Sequence, residues 1–197
     1  LPISENMPGS VITVMEDTNT TLDINNPDSD FTIDINGHKT DDIDVNNGKI
    51  TIINSKTGGY VKGELDIKKD STVTIGDVKI SGTIYTTGQL ILNGGDIYRI
   101  ILADKTIKLY FNNSDIKINE GIYLYGVYGE EIIINAEPHN VIPIVLDGIS
   151  VQQGATYAVA SDGITLKSEW FNASSNDSII DLSTSIEDNK LRIGAML

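Results

Sequence analysis

The stretch Ile43-Asp-Val45-Asn-Asn-Gly48-Lys-Ile50-Thr-Ile52 carries the fold in miniature. Two apolar-x-apolar triplets put their outer residues on one face, because side chains alternate along an extended chain. Between them lies Asn-Asn-Gly, whose members tolerate the positive φ that a sharp turn requires. The unit therefore reads as strand, tight corner, strand, with Ile43, Val45, Ile50 and Ile52 facing inward.

The same unit recurs on both sides. Leu65-Asp-Ile67, Lys68 to Thr72 and Val73-Thr-Ile75 repeat it with Asp70 near the glycine position. Looser copies are Ile84-Tyr-Thr-Thr-Gly88-Gln-Leu90-Ile-Leu92, Ile116-Lys-Ile118-Asn-Glu-Gly121-Ile122-Tyr-Leu124 and Ile149-Ser-Val151-Gln-Gln-Gly154-Ala-Thr-Tyr157-Ala-Val159. The turn positions Gly48, Asp70, Gly88 and Gly121 are spaced 22, 18 and 33 residues. One coil of a parallel β-solenoid takes about 20 residues, so the interval of 33 reads as one coil with a loop of roughly ten extra residues. Ile50, Ile52, Val73, Ile75, Leu90, Leu92, Ile122 and Leu124 are then expected to form one apolar column, each layer about 4.8 Å above the last.

Period-two runs extend from Val11 to about Ala136, so the expected class is all-β: a parallel β-helix over residues 1–137 and a small C-terminal β cap or β domain over 138–197. Ile179 to Leu182 and Leu191 to Ile193 are candidates to cover the last open edge, with Trp170 and Phe171 as core anchors. The alternative is a β-sandwich or jelly roll, in which the same strands pair antiparallel through Asn-Gly hairpins.

Bulk composition narrows the function classes. Of 197 residues, 28 are acidic and 14 basic, a net charge of −14, which makes a phosphate backbone a poor partner and sets nucleic acid aside. Cysteine is absent, which removes disulfides, thiolate metal sites and a cysteine nucleophile. No apolar run reaches the roughly 18 residues of a membrane span. The first residue is Leu, which suggests a processed or shortened chain. Asn-x-Ser/Thr triplets at Asn19, Asn112, Asn172 and Asn176 are weak signs of secretion in a chain so rich in Asn, Ser and Thr.

Phe31-Thr-Ile-Asp-Ile-Asn-Gly-His38, Val45-Asn-Asn-Gly-Lys-Ile-Thr-Ile52 and Gly88-Gln-Leu-Ile-Leu-Asn-Gly-Gly95 resemble pectate-lyase-like right-handed parallel β-helix proteins, over about residues 10–136. That superfamily includes phage fibres, tailspikes and bacterial surface adhesins. The resemblance implies an extracellular, virion or cell-surface setting and a carbohydrate ligand. It carries no catalytic residue onto this chain.

Candidate sites are few. A lyase of this shape would hold calcium between carboxylates beside a basic residue. Asp34, Asp41, Asp42 and Asp44 are the nearest set, with Lys39 nearby, although Asp34 and Asp44 alternate with apolar neighbours and are expected to point outward into solvent. Arg99 and Arg192 are the only arginines. Glu130-Glu131 and Asp41-Asp42 are adjacent in sequence, so the members of each pair face opposite ways and make no dyad. His38 and His139 follow turn residues and share no metal-ligand spacing. If Ile122 and Leu124 face inward, Tyr123 and Tyr125 face outward; Tyr128 lies beyond them, and Tyr85 is outward on an earlier coil. Outward tyrosines on a stiff sheet can stack on sugar rings or form a protein interface.

The expectation is thus a non-enzymatic structural or adhesive protein of a virion or cell surface, such as a phage fibre, a capsid decoration protein or an adhesin. It would be a homo-oligomer, a trimer among the options, or would dock on other surface proteins. The alternatives are a polysaccharide lyase or glycosidase and a monomeric carbohydrate-binding module.

Overall fold

The computed structural model describes residues 2–3, 8–124, 129–146, 154–177 and 179–196. They form a parallel β-solenoid of about six turns. One sheet runs in the order β1 (Pro2–Ile3), β3 (Leu22–Ile24), β6 (Ile43–Val45), β9 (Leu65–Ile67), β11 (Lys79–Thr86), β13 (Asp96–Leu102), β15 (Lys117–Leu124), β17 (Ile142–Leu146) and β19 (Phe171–Ser175), with β5 (Lys39–Thr40) and β8 (Tyr60–Val61) joined at its side. The second runs β2 (Ser10–Thr13), β4 (Asp30–Asp34), β7 (Lys49–Ile53), β10 (Thr72–Ile75), β12 (Gln89–Leu92), β14 (Lys108–Phe111), β16 (Glu131–Ile134), β18 (Ala158–Ala160), β21 (Lys190–Met196) and β20 (Asp181–Glu187).

Strands consecutive in sequence therefore lie in different sheets, while neighbours within a sheet are one coil apart. Ile43 pairs with Leu65, Leu65 with Ile84 and Ile84 with Ile100, all in parallel. Hairpins cannot produce this, since parallel neighbours need a crossover of a dozen or more residues. The sandwich or jelly roll alternative is thereby excluded. Antiparallel pairing among the described residues is confined to β18 with β21 and β21 with β20.

The inward residues stack into columns. In the second sheet Phe31, Ile50, Val73, Leu90, Leu109 and Ile132 follow one another in register, beside Ile33, Ile52, Ile75, Leu92, Phe111 and Ile134, and all are buried. Ile84, Ile100, Ile122 and Ile144 do the same in the first sheet. The single column expected from sequence therefore mixes two, because Ile122 and Leu124 lie beneath β17 and not in line with Leu92. The cause is local: Ile118 to Leu124 is one strand whose register against β13 shifts between Ile97 and Arg99, the mark of a β-bulge. A bulged strand and a turned corner share the pattern apolar, three polar, apolar. Consequently the interval from Gly88 to Gly121 contains β13 and β14, a full coil, and not a loop.

The corners use the residues that the sequence marks. Gly48 has φ +92° and Asp70, at the equivalent corner of the next coil, has φ +70°. At the opposite corner the asparagines stack: Asn112 Nδ2 donates to Asn93 Oδ1 at 3.0 Å and Asn135 Nδ2 to Asn112 Oδ1 at 2.7 Å. Each amide thus satisfies the coil below it.

Parallel pairing continues across Pro138 into β17, β18 and β19. The hairpin β20–β21 then lies at the end of the second sheet. Trp170, in a short 3-10 turn (Ser168–Trp170), and Phe171 are buried there.

Candidate binding faces

The outward column of the first sheet changes character along its length. Asp23, Asp44 and Asp66 occupy successive positions, and Tyr85, Ile101, Tyr123 and Val145 continue the same line. Tyr85 and Tyr123 point outward because Ile84 and Ile122 beside them fill the core column. Tyr125 and Tyr128 lie outside the described residues.

Beside this line, β11 and β15 each carry one extra residue opposite β13, between Ile80 and Thr83 and between Ile118 and Gly121, and at that level Tyr98 and Arg99 both fall between the core residues Ile97 and Ile100. Tyr98 is 38% exposed. The Arg99 guanidinium carbon lies 5.7 Å from the Tyr98 ring centroid and 5.5 Å from that of Tyr123, within reach of a cation–π interaction with both. Its Nε and Nη2 donate to Thr83 Oγ1 at 3.0 and 2.8 Å, which holds the planar group in place. Sequence reasoning singled out Tyr85 and Tyr123 but missed Tyr98 and Arg99. Their alternation with apolar neighbours is broken by the bulge, and the only signal was the rarity of arginine.

The acidic part of the column is electrostatically unfavourable. Burial, then the neighbouring Asp23 and Asp66 carboxylates, raise the pKa of Asp44. Asp66 takes Lys68 Nζ at 2.8 Å, a partial compensation. A raised carboxyl pKa means that the folded state loses stability as pH rises. Asp44→Asn is therefore expected to stabilise the chain by about 0.5 kcal/mol at pH 7, the scale of a like-charge cross-strand pair, and to be neutral at pH 3.5. Urea titrations at the two pH values check this.

The candidate metal set does not come together. Among the described residues no group of three or more His, Asp or Glu side chains is placed to hold a cation. Asp34, expected to face solvent, is only 7% exposed, because its Oδ1 accepts the backbone N–H of Asn36 and of Ser55, both at 2.9 Å, and that coil's loop folds over it. Burial alone would raise its pKa; the hydrogen bonds from Ser55 and Asn36 outweigh that and hold it low. Asp34→Ala leaves two backbone donors unpaired and is expected to cost about 2 kcal/mol at pH 7, an effect that shrinks as pH falls below the carboxyl range. Asp41 accepts the N–H of Asp42, and Asp42 Oδ1 accepts that of Glu64 at 2.7 Å, so both serve a corner. Asp44 stands in the outward column.

A groove of about 420 Å³ lies where the second sheet turns towards the first strand halves of β13 and β15. Asp77, Asp96, Asp115, Lys117, Asn113 and Asn140 line it. Asp96 Oδ1 accepts from Asn119 Nδ2 at 2.9 Å, and Asp115 Oδ1 lies 2.8 Å from His139 Nδ1. His38 meets Asp17 at 3.3 Å elsewhere. The histidines thus each take one carboxylate and share none.

Glu130 and Glu131 do face opposite ways. Glu131 reaches Lys108 Nζ at 3.3 Å on the outside, whereas Glu130 is 2% exposed and its Oε1 has no hydrogen-bond partner among the described residues. Burial, with the Asp104 charge adding to it, pushes the Glu130 pKa up to about 8.

No family model, curated protein or solved structure matches the chain.

Proposed function

We propose that the chain is a non-enzymatic structural and adhesive protein of a virion or cell surface, of the kind found in the pectate-lyase-like β-helix superfamily, and that it works as an oligomer. The observation that carries this reading is the Tyr98–Arg99–Tyr123 stack on a sheet whose inner side is fully packed. Arg and Tyr are the residues that most often dominate binding energy, and a face that is already ordered loses little entropy on docking. Membrane insertion is not needed for it; among the described residues no helix is long and apolar enough to cross a membrane.

The test is the double variant Arg99→Ala/Tyr123→Ala. It is expected to lower oligomer affinity or attachment to the target surface by 30-fold or more, read by light-scattering mass and by sedimentation with target cells or particles, while the thermal midpoint stays within about 3 °C. Unchanged mass and unchanged attachment would sink the reading. Chelator is expected to leave the mass of the unaltered chain the same, whereas a chelator-sensitive monomer would favour a calcium-dependent sugar binder or lyase.

A further inference from the structure

The outward face of the first sheet is divided by charge along its length. Asp23, Asp44 and Asp66 lie in one column, and Glu64, exposed two residues before Asp66, adds a fourth carboxylate in the column beside it. Further along, the first column continues as Tyr85, Ile101 and Tyr123, and the second as Thr83 and Arg99. The second column therefore holds two opposite charges, and neither is matched. The Glu64 carboxylate has no hydrogen bond or ion pair among the described residues, and Arg99, held to Thr83 through Nε and Nη2, leaves Nη1 uncommitted. Thr83 stands between them: Leu65 pairs with Ile84 and Thr83 with Arg99, so Glu64 and Arg99 are two coils apart, about 10 Å, and do not meet within one chain. Asp66 Oδ1 beside them is buried without a partner among the described residues, while its Oδ2 takes Lys68 Nζ at 2.8 Å.

Two copies that each carry a net charge of −14 repel one another, so they associate only where a face supplies its own counter-charge. Turning one copy over about an axis parallel to the strands, at the level of Thr83 and Tyr85, keeps each column against itself and reverses the order of the coils. Arg99 of each copy then lies opposite Glu64 of the other, twice by symmetry. Tyr123 comes opposite Asp44, where its phenolic O–H can donate to a carboxylate crowded by Asp23 and Asp66, and the two Tyr85 rings meet on the axis. Packing with the solenoids running the same way sets each coil against its own copy, so Asp44 meets Asp44 and Glu64 meets Glu64. Like charges directly opposed are destabilising, and a three-fold axis along the solenoid suffers the same repulsion. We infer that this face binds a second copy of the chain, as a two-fold dimer of antiparallel solenoids joined by Arg99 and Glu64 in both directions. The inference rests on reading the Arg99 face as a contact surface; it adds the partner, the symmetry and the counter-charge.

The experiment combines charge reversal with cross-linking of the full chain. Light scattering of the unaltered chain is expected to give the mass of a dimer. Arg99→Glu and Glu64→Arg are each expected to weaken the dimer by about thirtyfold or more, and Arg99→Glu/Glu64→Arg to return it to within about threefold of the unaltered chain, because the reversed pair meets again across the axis. Glu64 is exposed and its side chain makes no contact, so Glu64→Arg keeps the test valid if Arg99→Glu misfolds. The chain has no cysteine, so single introduced thiols and a short bis-maleimide report the geometry. Tyr85→Cys is expected to link to itself, Asp23→Cys and Val145→Cys to give no link alone, and a mixture of those two to give a linked pair. Self-linking of Asp23→Cys or Val145→Cys, a mass of three chains, or a combined variant as weak as either single one would overturn the inference. If Arg99→Ala/Tyr123→Ala still dissociates such an oligomer, the Arg99-face reading stands and only the antiparallel geometry fails. A monomer that attaches to its target through Arg99 likewise overturns the dimer alone, whereas mass and attachment both indifferent to the Arg99 variants sink the reading itself.

Discussion

Glu130→Gln flattens the pH dependence of folding stability. In the folded chain the Glu130 carboxyl is buried, its Oε1 has no hydrogen-bond partner among the described residues, and it holds its proton up to about pH 8. In the unfolded chain it ionises at the ordinary value of 4.5. Between those two values the folded state binds the extra proton, so stability falls as pH rises, by roughly 1 kcal/mol per pH unit, and levels off above pH 8. Glutamine has the same shape and no charge to bury. The variant is expected to match the unaltered chain near pH 4.5 and to exceed it by about 3 kcal/mol at pH 8. Urea unfolding at half-unit steps from pH 4.5 to 8.5 checks it, and parallel curves for the two chains would refute the account.

Gly59→Ala is expected to cost about 4 kcal/mol, and Gly58→Ala about 1. The two glycines are adjacent and both have positive φ, +77° at Gly58 and +74° at Gly59. Either alanine meets the same left-handed backbone penalty. At Gly58, however, an added Cβ has nothing within 4 Å, whereas at Gly59 it would lie 2.4 Å from Gly37 C and 2.4 Å from His38 O. Those atoms are backbone of the coil below, fixed by the hydrogen bond from Tyr60 N to His38 O at 3.0 Å, and cannot move aside without separating the coils. Thermal melts of the two variants side by side isolate the packing contribution, since the conformational one is common to both. Equal losses would show that the close approach of the coils matters little.

Much of the fold was legible locally. Ile43 to Ile52 forms β6, a Gly48 corner and β7 as its pattern predicts, and Asp70 takes the positive φ of the glycine it replaces. Beyond Gly88 the reading lost phase, because the sequence of Ile116 to Leu124 is common to a corner and to a bulge. The candidate faces were legible in part. Parity placed Tyr85 and Tyr123 outward, but it also placed Asp34 outward, where a loop covers it. Nothing in the spacing of Tyr98, Arg99 and Tyr123 indicates that they meet, since that depends on how β13 and the bulged β15 register.

What the sequence by itself determined is the all-β class and the strand-corner-strand unit that favours a β-solenoid: period-two apolar runs and turn residues about one coil apart are short-range properties, set by side-chain alternation and by backbone sterics, whereas the parallel pairing that excludes a sandwich is a tertiary fact. What only the tertiary structure decided is which residues of neighbouring coils lie on one another. That choice sets Gly59 apart from Gly58, buries Glu130 while Glu131 reaches Lys108, and brings Asp77, Asp96 and Lys117 to one groove. Each outcome depends on contacts between residues 16 or more positions apart, across coils whose lengths vary, and no local pattern encodes that register.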